Sequence, residues 1–130
     1  MSVRLILDTS ALLAYASADT RAVVVGELIA SVEENSDTCG VPALCLIEAY
    51  RQTHSHQRRT LLELTGDDDG PTVILPVLAV DVGHLGDLVS TLPYDQAHAA
   101  TSAHKHDALM GTYQRGAYHG VLDEEEIIDL

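Results

Sequence analysis

Val3 to Leu7 is an apolar run broken only by Arg4, and it stops at Asp8 before Thr9-Ser10 and the apolar segment Ala11-Leu12-Leu13-Ala14-Tyr15. An unalternating apolar run reads as a strand buried on both faces, which is the habit of parallel sheets covered by helices. A helix starts at once behind it. Asp8 therefore falls at the carboxyl end of a parallel strand, where ligands and reactions sit in open α/β sheets. A carboxylate there is a candidate metal ligand. It is also an ordinary helix N-cap, and the residue type alone does not separate the two.

The rest of the chain continues the alternation. A short helix is read over Ala11–Ala16 and a longer one over Ala22–Glu34, capped by Asp19 or Thr20, with Val24, Val25, Leu28, Ile29 and Val32 at helical spacing. Asn35-Ser36-Asp37 closes it as a turn. Thr38–Val41 reads as a strand, with Pro42 in the first turn of a helix running to about Thr53. Helix is read again over Ser55–Leu64. A loop follows over Gly66–Pro71. Val73–Leu78 reads as a strand in which Pro76 signals an edge or an end. Helices over Val82–Leu92 and Asp95–Lys105, a strand over Ala108–Tyr113, a Gly116–Gly120 loop and a terminal strand over Ile127–Leu130 complete the series. Strands alternating with helices predict one α/β domain over residues 1–130, a three-layer α/β/α sandwich with a central, mainly parallel sheet.

Composition bounds the function. At 130 residues with 46% hydrophobic residues the chain can bury one sizeable core. No segment approaches the ~20 apolar residues of a membrane span, and the short start broken by Asp8 is no secretion signal. The expected location is cytoplasmic. Cys39 and Cys45 suggest neither an oxidised scaffold nor a zinc-thiolate site, and Cys45 reads as a small core residue. Seven Lys and Arg against 20 Asp and Glu give a net charge of -13. A large basic nucleic-acid footprint is excluded. The one basic cluster runs from Arg51 to Arg59, while the Asp67–Asp69 and Asp123–Glu126 runs read as solvated surface.

Three acids interrupt apolar pattern: Asp8; Glu48 within Val41-Pro42-Ala43-Leu44-Cys45-Leu46-Ile47-Glu48-Ala49-Tyr50; and Asp95 opening Asp95-Gln96-Ala97-His98-Ala99-Ala100. Carboxylates near a core are costly unless paired or bound to metal. Mg2+ and Mn2+ prefer carboxylate oxygens, and convergent carboxylates suit metal-assisted phosphodiester hydrolysis. The plain readings are caps for Asp8 and Asp95 and an exposed helix residue for Glu48.

With Leu5-Ile6-Leu7-Asp8-Thr9-Ser10-Ala11-Leu12-Leu13-Ala14, Val41-Pro42-Ala43-Leu44 leading to Glu48-Ala49, Asp95-Gln96-Ala97-His98-Ala99, and Met110-Gly111-Thr112-Tyr113-Gln114-Arg115-Gly116-Ala117-Tyr118 in this order, the chain resembles PIN-domain proteins of the VapC toxin type. The resemblance spans nearly the whole length. It implies an Mg2+- or Mn2+-dependent ribonuclease, often a homodimer and often the toxin of a toxin-antitoxin pair. The family's acidic positions carry over onto Asp8, Glu48 and Asp95 as metal ligands and catalytic residues. Its Thr-x-Asp segment reads Thr112-Tyr113-Gln114 here, so Thr112 keeps a hydroxyl while Gln114 replaces the usual acid. That departure puts a second metal in doubt.

Ser10, His98 and Gln114 are candidates to stand behind the ligands. His98 follows Asp95 by three residues and can share its helix face; the plain reading is a partly buried helical His. Arg51, Arg58, Arg59 and Arg115, with Lys105, are the candidate RNA phosphate contacts. His54/His56 and His104/His106 are HxH pairs, whose spacing separates the two rings on a helix or strand and makes poor ligand pairs. Asp81 reads as a helix cap, Asp87 as a surface residue and Asp107 as a helix C-terminal turn residue. The competing function is a catalytically weakened PIN-like domain acting as a binding or regulatory protein, favoured by the charge and by Gln114. A phosphatase-like or receiver-like domain using Asp8 is disfavoured, because no second acid and no Gly-rich phosphate loop follow it.

Overall fold

In the computed structural model, residues 2–130 are described. The chain folds as β1 Val3–Leu7, α1 Thr9–Ala16, α2 Thr20–Glu34, β2 Thr38–Pro42, α3 Ala43–Gln52, α4 Ser55–Thr65, β3 Thr72–Leu75, α5 Val82–Leu88, α6 Tyr94–His106, β4 Leu109–Thr112 and β5 Ile127–Asp129, with single turns of 3-10 helix at Ala79–Asp81, Arg115–Tyr118 and Glu124–Glu126. The five strands form one sheet in the order β3-β2-β1-β4-β5. Every pairing is parallel, so the sheet is more uniform than the mainly parallel one expected.

β1 is central because it is the most completely apolar strand: Leu5, Ile6 and Leu7 are at most 1% exposed. From β1 the chain adds β2 and β3 on one side, then returns to place β4 and β5 on the other. The strand order thus reverses between β1 and β4. At such a switch point the connections leave in opposite directions and open a crevice at the carboxyl ends. Gly40 of β2 lets the neighbouring side chains close in. A Cβ there would lie 2.7 Å from Leu75 Cδ1 and 2.9 Å from both Ile6 Cδ1 and Val3 Cγ1.

Most boundaries shift by a residue or two from the sequence reading, with α1 beginning already at Thr9, and three of the differences have a clear local reason. Pro42 is the last residue of β2 and precedes α3; it is not inside the helix. β3 ends at Leu75, because Pro76 has no N–H to give a ladder. α5 ends at Leu88, because the Ser90 and Thr91 hydroxyls donate to the carbonyls of Asp87 and Leu88. Those bonds draw the backbone into a turn. Asp19 caps α2 as expected, accepting from Arg21 N at 2.9 Å.

Candidate active site

Asp8 leaves the end of β1 and turns directly into α1. Its Oδ1 accepts from Ala11 N at 3.0 Å, the helix cap, and from Ser10 Oγ at 2.6 Å. Its Oδ2 accepts from Thr112 Oγ1 at 2.6 Å and from the Tyr118 hydroxyl at 2.7 Å. Register explains the meeting with Thr112: Leu7 of β1 pairs with Gly111 of β4, so the residue after each faces the other at the switch point. Asp8 is 1% exposed and has no cation partner among the described residues. A buried carboxylate without a cation is held by hydrogen bonds or is strongly unfavourable. Four donors occupy the roughly four lone-pair sites that a carboxylate offers. The cap and the site are therefore one arrangement.

Ser10 and Thr112 are themselves held. Tyr113 N donates to Ser10 Oγ and Gln114 N to Thr112 Oγ1, both at 2.9 Å, and the two hydroxyl oxygens lie 3.2 Å apart. Burial, and then the Asp8 charge, push the Tyr118 phenol far above the usual tyrosine range, so it stays a donor. Tyr118 and Thr9 belong to this network and carried no role in the sequence reading. Only its partners across the fold single out Tyr118.

Asp95 sits in the first turn of α6, half-buried, and its Oδ2 accepts from Thr9 Oγ1 at 2.6 Å. Thr9 follows Asp8, so the two acids are linked by one residue of α1. The Cys45 thiol of α3 donates to the Asp95 carbonyl at 3.1 Å and ties α3 to the start of α6. Burial pushes that thiol well above the usual cysteine range. Glu48 lies on α3, and it shares with Asp95 a shallow cleft of about 330 Å³ lined also by Leu44, Ile47, Pro93 and Tyr94.

Glu48 does not turn toward Asp8. Its Oε1 and Oε2 accept from Arg51 Nη2 and Nε at 2.6 and 2.9 Å, and Gln52 Nε2 adds a bond at 3.1 Å. The Arg51 and then the Gln52 hydrogen bonds lower the Glu48 carboxyl to about 2. Among the described residues no three His, Cys, Asp or Glu side chains stand close enough to hold a cation together.

His98 is placed elsewhere than Asp95. Its Nδ1 accepts from Leu44 N at 3.3 Å, which caps α3 where Pro42 supplies no side-chain cap. Its other nitrogen faces the Pro76 carbonyl, and burial lowers its pKa. Gln114 is exposed, and its Oε1 accepts from Gln96 Nε2 at 2.8 Å. Arg115 lies 3.9 Å from both Glu124 and Asp129, away from phosphate-bearing duty in this arrangement. Neither HxH pair gathers its two rings. His54 caps α4, and His104 meets His84 of α5 with ring nitrogens 3.0 Å apart. Asp81 caps the turn at Ala79–Asp81 through Leu78 N and pairs with Lys105 at 3.2 Å. Asp107 ends α6 in the left-handed conformation at φ 50.

No family model matches the sequence, and no curated protein matches it. Among solved structures, the chain is similar to VapC20 of Mycobacterium tuberculosis, a sarcin-ricin-loop-cleaving toxin, with a TM-score of 0.64 and 12% identity over 97% of this chain and 98% of that one. Five parallel strands with flanking helices, and near-complete coverage in both directions, give this chain the PIN-domain fold.

Proposed function

We propose that this chain is a divalent-metal-dependent ribonuclease that hydrolyses RNA phosphodiester bonds. The observation that supports the reading is a chain of neighbours at the switch point: Thr9, next to Asp8, donates to Asp95, and Asp95 shares a cleft with Glu48. Their donors are all carboxylate oxygens, the type that Mg2+ and Mn2+ take. Asp95 and Glu48 face the cleft. Asp8 stands behind them with its oxygens filled. To take part in a cation site, Glu48 must be released by Arg51 and Asp8 by at least one of its hydroxyl donors.

Asp8, Glu48 and Asp95 would then hold the cation, which when bound supplies Lewis acidity toward water and charge neutralisation at the phosphate. Thr112, with Ser10, keeps the Asp8 carboxylate in one orientation. Thr9 does the same for Asp95. Gln114 adds no charge, which supports one cation more than two. RNA as substrate, an antitoxin protein and a homodimer as partners follow from the same reading. The likeness to VapC20 and the exposed apolar side chains of Val73 and Ile74 on β3 and of Val80 in the turn at Ala79–Asp81 support it. No helix among the described residues is long and apolar enough to cross a membrane, in keeping with a cytoplasmic protein.

The saturation of Asp8 favours a second reading, a PIN domain with weakened chemistry that binds or regulates. Calorimetric titration of Mn2+ and Mg2+ into wild type and Asp8→Asn, followed by incubation of each with single-stranded RNA, decides between them. Saturable binding and cleavage that are both lost in Asp8→Asn are expected. No cation binding in wild type overturns the ribonuclease reading.

A further inference from the structure

The seven Lys and Arg residues are not equivalent in the fold. Arg4 pairs with Asp37, Arg21 with Asp19, Arg51 with Glu48, Lys105 with Asp81, and Arg115 lies near Glu124 and Asp129. Among the described residues, Arg58 and Arg59 alone have no carboxylate within 4.0 Å. In a chain of net charge -13, two adjacent cations left unpaired are the exception. They line the same groove, about 650 Å³, with Tyr50, Ser55 and Leu62.

Arg58 is fixed in place before any ligand arrives. Its Nε donates to the Tyr50 carbonyl at 2.9 Å, and its guanidinium lies 4.5 Å from the centroid of the Tyr50 ring. Neither terminal nitrogen of Arg58 is hydrogen-bonded among the described residues. A guanidinium held on an aromatic ring with its fork free is set to take phosphate oxygens, and little side-chain entropy is lost in doing so. Glu63 and Asp67 also line the groove. Their carboxylates are acceptors of the kind a ribose 2′-hydroxyl donates to, and they repel phosphate. α3 contributes to both the groove and the cleft of Glu48 and Asp95, Tyr50 to the first and Leu44, Ile47 and Glu48 to the second.

We propose that the Tyr50–Arg58–Arg59 groove is a binding track for the phosphodiester backbone of single-stranded RNA; its polymer ligand rests on the ribonuclease reading. Arg51 and Arg115 are not part of it, being occupied by acids.

The test separates binding from cleavage. A labelled single-stranded oligoribonucleotide is titrated in EDTA against wild type, Arg59→Gln, the Arg58→Gln/Arg59→Gln double variant and, as control, Arg21→Gln, by fluorescence anisotropy at several salt concentrations. Each single-strand phosphate contact contributes about 0.7 to the slope of log K against log salt. The slope is expected to become shallower by about 0.7 in Arg59→Gln and about 1.4 in the double variant, with no change in Arg21→Gln. Arg59→Gln keeps the test valid if removing Arg58 loosens the fold. Slopes and affinities equal to wild type overturn the track, as does the absence of RNA binding in wild type. Displacement of the RNA by an equal phosphate concentration of inorganic pyrophosphate overturns it in favour of a small phosphate compound. RNA bound through both arginines but left uncut with Mn2+ upholds the track and defeats the ribonuclease. RNA cut with unchanged KM in the double variant does the reverse.

Discussion

Tyr118 and Asp8, 110 positions apart in the chain, meet through a 2.7 Å hydrogen bond in the buried interior. The phenol occupies a lone pair that a cation on Asp8 Oδ2 would need. A structural donor and a ligand position therefore compete at the same atom.

Tyr118→Phe separates the two roles. A hydrogen bond to a charged group contributes about 1.5–3 kcal/mol, so the metal-free variant is expected to unfold that much more easily in a urea titration. Freed of one donor, Asp8 is expected to bind Mn2+ more tightly, and the rise in Tm with Mn2+ exceeds that of wild type. A smaller rise than wild type means that Tyr118 helps to build the cation site.

Gln114→Asp tests the missing fourth acid. Gln96 Nε2 keeps an acceptor in the variant, so the change in stability is expected to stay within about 0.5 kcal/mol, as for a surface position. Mn2+ affinity by calorimetry is expected to rise about tenfold, the lower end of what an outer partner contributes at metal sites.

The pH dependence of stability runs through His98. Burial lowers its folded pKa from 6.5; the facing Asp81 partly opposes this and the Lys105 charge adds to it. In the unfolded chain the ring gains a proton near its ordinary value, while in the folded protein Nδ1 stays bare to accept from Leu44 N. The stability from this group is full above about pH 6.5 and declines as pH falls from there toward the folded pKa. Glu48, lowered to about 2, loses its share only at much lower pH. The Tm of wild type is expected to drop between neutral pH and the range just below 6, and that part of the drop should vanish in His98→Gln.

Gly40→Ala tests how tightly the central strands close. The added methyl meets Leu75, Ile6 and Val3 together, each under 3.0 Å. Overpacking of this kind costs about 1–3 kcal/mol, read as a lower urea midpoint with the slope unchanged.

The order of elements was legible because the β1 pattern is strong: Arg4 is the one polar residue in Val3–Leu7, and Leu5-Ile6-Leu7 alternates no polar side to water, so a central strand suits it. Ends were legible where one residue dictates them, as Asp19 does at α2, and misplaced where short polar side chains compete with the helix, as Ser90 and Thr91 do at α5. The meeting of Asp8 with Thr112 is a register effect between β1 and β4, which local pattern does not encode. His98 shows the limit most clearly. Its spacing from Asp95 is right for a shared face, but an uncapped Leu44 N–H on another helix takes its nitrogen. Glu48 was read by type, and its capture by Arg51 one turn later depends on rotamers that spacing leaves open.

The network around Asp8 also dates the site within the life of the chain. β1 precedes α1–α6 in the chain, yet its neighbour β4 and the Tyr118 hydroxyl are supplied by residues 109–118. While the protein is being synthesised, Asp8 has its own helix cap and little else. The acid acquires its orientation only when β4 arrives with Thr112. On the ribonuclease reading, a nascent chain that still lacks β4 is inert toward the translation machinery that is making it.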